Sequence, residues 1–288
     1  MKIWLDGKLV EQEEATTSVF DHGTLYGDGI FEGIRFYNKR VFRLEDHIDR
    51  LYHCAHYLLL EIPYTREELS SAVCETAAAS GLNDGYIRLV VTRGVGNLGL
   101  NPFNCKRPCV FIIADKISLY DPDVYENGLT LMTSSVRRNR PDTVCPQVKS
   151  LNYLNNILAK MEAVRQGAAE ALMLNDLGNV AECTGDNIFI VKDGAVLTPP
   201  VTDGCLDGIT RRVVLEICRE LHIPAEEKTM NRFTITCADE CFLTGTAAEC
   251  VPVTRLDGYQ LGSGKIGPVT ARILARFQEL TRTTGTSF

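Results

Sequence analysis

Four stretches of this 288-residue chain carry residue types that could do chemistry. In QVKSLNYLNNILA, Gln147 to Ala159, Lys149 is the one charged residue before Lys160. Val148, Leu151, Leu154, Ile157 and Leu158 surround it, which places an ammonium group at the mouth of an apolar helix. A lysine that forms Schiff bases must spend time uncharged, and apolar surroundings favour that. Alone, it reads rather as an ordinary surface lysine. The second stretch, NVAECTGDNIFIVKDGAVLTPPVTDGCLDGITR, contains Glu182 among small residues and ends on Gly208-Ile209-Thr210 at a helix start. N–H groups and a hydroxyl there could receive a phosphate, or simply cap the helix. The third, FLTGTAAECVPV, makes a tight turn of Gly245, Thr246, Ala247 and Ala248. Small side chains let backbone N–H groups reach an anion, although a plain turn looks the same. The fourth, HIDRLYHCA, sets His47 and Arg50 one helical turn apart. Arginine grips phosphate through its planar fork. His47 reads as part of a solvated helix face.

The elements that must position these residues follow from pattern. Asp6-Gly7, Asp193-Gly194 and Asp257-Gly258 predict type I′ hairpins, and another turns at Asn38-Lys39. Leu44 to Leu60 has helical apolar spacing. Thr65 and Glu68 form a capping box for a helix that stops at Gly81. Tyr86 to Arg93 alternates as a strand, with Tyr86 and Arg88 on one face and Ile87, Leu89 and Val91 on the other. Cys109 to Ala114 is a buried strand. Strand Leu129 to Val136, a helix after Lys149 that ends near Gly167, and helices Ile209 to Leu221 and Gly267 to Thr281 follow. The polar run DPDVYENG predicts a boundary. The expected division is a small domain over 1–120, an interdomain loop over 121–128 and a larger domain over 129–288. The first half reads α+β. The second, richer in strands, reads as barrel-like.

Composition excludes several classes. Net charge is −7, and no basic cluster appears, so nucleic acid is not an expected partner. No apolar run is long enough to span a membrane, and MKIWLDGKLV is no secretory signal. Eleven scattered cysteines read as reduced thiols in a cytoplasmic protein. Cys105/Cys109 and Cys237/Cys241 lack the spacing and histidines of a zinc site, so no metal is expected. Gly94, Gly96 and Gly99 spell a dinucleotide fingerprint, but LNPFNCKRP cannot supply the helix that it needs. A flexible glycine loop is expected there.

Together the four stretches resemble the fold-type IV pyridoxal-phosphate aminotransferases over nearly the whole chain. The match runs from Glu182 through Asn187-Ile188-Phe189, Thr198 and Gly208-Ile209-Thr210-Arg211 without a gap. HIDRL, KSLNYL and TGTAAE fall in the family's order. The resemblance implies the D-amino acid aminotransferase-like fold: α+β, with a small α/β sandwich followed by a larger barrel-like α/β domain. It implies pyridoxal 5'-phosphate (PLP) as cofactor, with Lys149 as the Schiff-base lysine and proton shuttle. Glu182 would pair with the pyridine nitrogen. Arg50, Ile209, Thr210 and Thr246 would hold the phosphate, and Tyr153 would contact the ring hydroxyl. Tyr86-Ile87-Arg88, GTAAE and YGDGIFEGIR are most similar to the branched-chain amino acid aminotransferases. In that group Tyr86 and the backbone of Thr246 and Ala247 would bind the α-carboxylate. Arg88 would receive the second carboxylate of 2-oxoglutarate, and Tyr26, Phe31 and Arg35 would line the side-chain pocket. Amino acid and 2-oxo acid substrates and a homodimer or higher homo-oligomer are implied, since the family builds its site between domains and borrows residues from a partner subunit. A D-amino-acid or (R)-amine aminotransferase, an aminodeoxychorismate-type lyase and a binding protein without turnover stay open as alternatives. Asp28-Gly29 is common to the D-amino-acid branch.

Overall fold

The structure, a computed structural model, describes residues 1–120 and 122–288, without the side chains of Pro122 and Glu126. Two compact units interleave along the chain. The first comprises Met1–Ile117, Val148–Asn152 and Thr281–Phe288; the second comprises Ser118–Gln147 and Tyr153–Leu280.

The first unit opens with a hairpin of β1 (Lys2–Leu5) and β2 (Lys8–Glu11). Asp6 and Gly7 turn it at φ of 46° and 101°, the positive pair that a type I′ turn requires. Then come α1 (His22–Tyr26), β3 (Gly29–Tyr37), β4 (Arg40–Val41), α2 (Leu44–Tyr57), α3 (Arg66–Ala79), β5 (Gly85–Thr92) and β6 (Cys109–Asp115). The sheet order is Thr286–Ser287, β4, β3, β5, β6, β1, β2, antiparallel throughout. Ile30, Ile34, Phe36, Ile87 and Leu89 form a core cluster with Leu44, Ile48 and Leu51 of α2 and Leu69 and Val73 of α3. Each such buried side chain contributes about 1.5–3 kcal/mol. Strand alternation sends Phe31, Gly33 and Arg35 to the opposite face, where the register sets them against Val90, Arg88 and Tyr86. The capping box of α3 is present: Thr65 N–H donates to Glu68 at 2.7 Å, and Glu68 N–H donates to the Thr65 hydroxyl at 3.2 Å.

Lys149 departs from the helix-mouth expectation. Its segment, Val148–Asn152, pairs with β3: Phe31 N–H donates to the Lys149 carbonyl at 3.0 Å, and Leu151 N–H donates to the Gly29 carbonyl at 2.9 Å. Asn152 Nδ2 donates to the Gly27 carbonyl at 2.9 Å. These bonds occupy the backbone and side chains that would otherwise begin a helix, and the helix starts only at Leu154.

The second unit contains α4 (Pro122–Asn127), β7 (Leu129–Thr133), α5 (Leu154–Arg165), β8 (Glu170–Leu174), β9 (Val180–Cys183), β10 (Asn187–Lys192), β11 (Ala195–Thr198) and α6 (Ile209–Glu220). It continues with β12 (Ala225–Glu227), α7 (Arg232–Thr236), β13 (Glu240–Gly245), β14 (Glu249–Leu256), β15 (Tyr259–Gln260) and α8 (Pro268–Thr283). Of the polar run 121–128, Asp121 lies outside the described residues, and α4 occupies most of the rest. The sheet order is β12, β11, β10, β13, β14, β7, β8, β9, with β15 on β14. Pairs β11–β12, β14–β7 and β7–β8 are parallel. Leu172, Ile188, Ile190, Leu243 and Val251, all fully buried, form its core. The Asp193-Gly194 and Asp257-Gly258 turns have positive φ at both residues, as their type requires.

Candidate active site

In the first unit the pairing with β3 brings the Lys149 amine over the Phe31 ring, 4.4 Å from its centroid. Arg88 also meets that ring, its guanidinium carbon 4.6 Å from the centroid. Cations within about 6 Å of an aromatic ring are held by its quadrupole. Arg88 Nη2 donates to the Tyr86 hydroxyl at 3.0 Å. The phenol has room because its diagonal neighbour on β3 is Gly33, where a Cβ would collide with the hydroxyl. Lys149, Phe31, Tyr86 and Arg88 are thus one cluster. Arg35, opposite Tyr86 in the register, packs over the Tyr37 ring at 5.2 Å. Tyr26, at the end of α1, donates its hydroxyl to the Leu98 carbonyl at 2.7 Å. That bond and one between the His22 ring and the Asn97 carbonyl, 2.8 Å, tether the glycine loop expected to be flexible.

Arg50 meets the other face of β3. Its Nε and Nη2 donate to the two oxygens of Glu32 at 2.7 and 2.8 Å, and His47 Nδ1 lies 2.7 Å from the same carboxylate. All three are buried. His47 is therefore no solvated residue, as expected from sequence, but a core partner of Glu32. The Glu32 pKa is lowered well below the carboxylate range: burial opposes ionisation, but Arg50 and His47 together outweigh it. The His47 pKa is lowered, chiefly by burial, with Arg50 and Lys149 adding to the effect. One turn beyond Arg50, Cys54 Sγ accepts the Lys149 backbone N–H at 3.3 Å. Glu32 went unnoticed in the sequence. The signal was one acid inside the apolar strand GIFEGIRFY.

In the second unit Glu182 is held from three sides. Arg138 Nε donates to Oε1 at 2.8 Å; the Asn187 amide and Leu206 N–H donate to Oε2 at 3.2 and 2.9 Å. Asn156 links this group to α5, accepting from Arg138 at 3.2 Å and donating to the Thr184 carbonyl at 2.7 Å. Tyr153 is the N-cap residue of the same helix. Arg138 was also missed, and nothing in SSVRRNR distinguishes it from its neighbours. Ile209 and Thr210 occupy the first turn of α6, whose N-cap is Gly208 without a side-chain cap. No side chain caps the first-turn N–H groups, which suits an anion. Asn187 packs on Gly208 and pairs with Thr244 of β13, so it connects this helix start to the Gly245–Ala248 turn carrying Thr246 and Ala247.

The first unit carries an amine against an aromatic ring; the second carries a fixed buried carboxylate, a helix start without a side-chain cap and a small-residue turn; each is a kind of group that suits PLP. Residues 29–256 match the family described as amino-transferase class IV. A putative branched-chain-amino-acid aminotransferase of Methanocaldococcus jannaschii is 49% identical over 97% of this chain and 96% of its own length. A D-alanine aminotransferase of Listeria monocytogenes is 37% identical over 99% of this chain and 98% of its own. The structure is similar to that of the T.th. branched-chain amino acid aminotransferase with pyridoxamine 5'-phosphate, with a TM-score of 0.94 and 39% identity over 98% of this chain and 94% of that one. The chain belongs to the class IV aminotransferases, a PLP-dependent family, and has their two-domain α+β fold.

Proposed function

We propose that this enzyme transfers the amino group of branched-chain L-amino acids, leucine, isoleucine and valine, to 2-oxoglutarate. The observation that carries the reading is the Lys149 amine lying over Phe31 beside the bonded Tyr86–Arg88 pair. When bound, PLP supplies a ring that withdraws the electron pair left at the substrate α-carbon. Lys149 would hold the aldehyde until the amino donor displaces it, and its freed amine would then move the proton at the α-carbon. Glu182, fixed by Arg138, Asn187 and Leu206, accepts the pyridine N–H. Arg50, Ile209, Thr210 and Thr246 hold the phosphate, and Tyr153 meets the ring hydroxyl. Tyr86 with the Thr246 and Ala247 backbone takes the α-carboxylate, while Arg88 receives the second carboxylate of 2-oxoglutarate. Phe31, Tyr26 and Arg35 wall the side-chain pocket, where each buried methylene adds about 0.8 kcal/mol of preference.

The relative acting on D-alanine favours a second reading, D-amino-acid transfer, on the same residues. A donor screen of purified protein with 2-oxoglutarate separates them. Leucine, isoleucine and valine should turn over faster than D-alanine, and Lys149→Ala should abolish turnover. Faster use of D-alanine rejects the first reading; no transfer from any donor rejects both.

We further read the protein as cytoplasmic and at least dimeric. Among the described residues the eleven cysteines form no disulfide, which suits a reducing compartment. Leu154, Ile157, Leu158, Met161 and Val164 leave an exposed apolar stripe on α5, a feature of surfaces that dock. Light scattering on a sizing column tests the assembly, and a monomer rejects it. Among the described residues, no helix is long and apolar enough to cross a membrane.

A further inference from the structure

Asp186 has no part in the chemistry above, yet it lies directly behind one of the proposed anion seats. It occupies the corner between β9 and β10 and is 5% exposed. Its carboxyl presses on Gly245, the last residue of β13, where a Cβ would collide with Oδ1. Gly245 leads straight into Thr246 and Ala247. Among the described residues the carboxyl accepts one side-chain hydrogen bond, a long one of 3.4 Å from the Tyr120 hydroxyl. A second buried acid of the same unit, Glu240, is treated differently: backbone N–H groups of Val269 and Thr270 donate to it at 3.0 and 2.7 Å.

The charges around Asp186 do not compensate it. Glu170 on β8 and Glu182 on β9 act on it as like charges, and Lys160 on α5 favours its ionised form. Lys160 is already bonded to Glu170, at 3.0 Å. The Tyr120 hydroxyl and the Cys183 thiol complete the titratable surroundings, and burial raises the pKa of both, so they stay neutral. Burial first, then Glu170, pushes the Asp186 pKa up to about 7.

An ionised carboxyl behind the turn opposes an anion in front of it; a protonated one does not. We propose that Asp186 is a positioning residue whose own proton sets the affinity of the Gly245–Ala247 turn for the carboxylate of amino-acid and 2-oxo-acid substrates. The inference rests on the reading of that turn as a carboxylate seat. The sign follows from the raised pKa: Asp186 is neutral below about pH 7 and ionised above it. Substrate carboxylates therefore bind more weakly as pH rises through neutrality. Two like charges across a medium of effective dielectric near 20 give a change of about tenfold or more.

The test titrates the PLP-loaded protein with 4-methylvaleric acid, a branched carboxylate that cannot transaminate. Dissociation constants are read from the cofactor absorbance at mildly acidic and mildly alkaline pH. Wild type is expected to weaken about tenfold more across that range than Asp186→Asn, which keeps the acid-side affinity at both. Asp186→Ala serves as a second variant and is expected to behave as Asp186→Asn does. Comparing variants cancels any pH dependence that they share. Equal pH dependence in wild type and variants overturns the inference alone. Failure of the loaded wild type to bind the acid at either pH overturns the carboxylate seat, and this inference with it.

Discussion

Glu32 in the first unit and Asp186 in the second are both buried acids on or beside a strand, and they meet opposite electrostatic fates. Glu32 lies within 2.8 Å of two Arg50 nitrogens and 2.7 Å of His47, and its pKa is lowered despite full burial. Asp186 touches no cation among the described residues and is raised to about 7. Burial costs both groups; a bidentate guanidinium reverses the outcome for one. One unit uses its buried acid as a fixed anchor for Arg50. The other keeps an acid that can change charge in the physiological range.

The largest effect that could break this contrast is on stability. Glu32→Ala strands the Arg50 charge in the core, so it should cost about 3–5 kcal/mol in urea unfolding. A loss below about 1 kcal/mol would mean that Arg50 finds compensation elsewhere. His47→Ala removes one hydrogen bond to a charged group and should cost about 1.5–3 kcal/mol by the same measurement. Asp186→Asn should act with the opposite sign: a gain at pH 8 of up to about 4 kcal/mol, shrinking toward nothing near pH 4.

The pH dependence separates the two acids without mutation. The folded-state pKa of Glu32 lies below its unfolded value, so its contribution is present above about pH 4.3 and is lost as pH falls below that. The folded-state pKa of Asp186 lies above its unfolded value. Its contribution is full below about pH 3.9 and is lost as pH rises to about 7. Unfolding curves from pH 4 to 8 should show the second loss in wild type and lack it in Asp186→Asn. An identical profile in both would remove Asp186 from the comparison.

What sequence reading recovered, and what it did not, follows the range of the interactions. The Asp-Gly turns and the Thr65–Glu68 box are decided within a few residues, and each is where pattern puts it. Tyr86 and Arg88 share a face because strand period is strictly local. Glu32–Arg50 and Arg138–Glu182 are separated by 18 and 44 positions, and no spacing rule links them. His47 was misread for the same reason: a histidine on an amphipathic helix looks solvated until the acid that receives it is known. Lys149 was set at the mouth of a helix, because its apolar neighbours fit helical spacing. Several of those neighbours, Leu154, Ile157 and Leu158, are exposed instead.

The two backbone bonds that stitch Val148–Asn152 to β3 make the Lys149 amine an appendage of that strand. Its location is inherited from a ladder assembled out of residues over a hundred positions earlier. Amide exchange should show it: the N–H groups of Phe31 and Leu151 ought to open together and as seldom as the strand itself. Mutations that loosen β3 from below would then displace the Lys149 amine while leaving the Arg138–Glu182 pair of the second unit untouched.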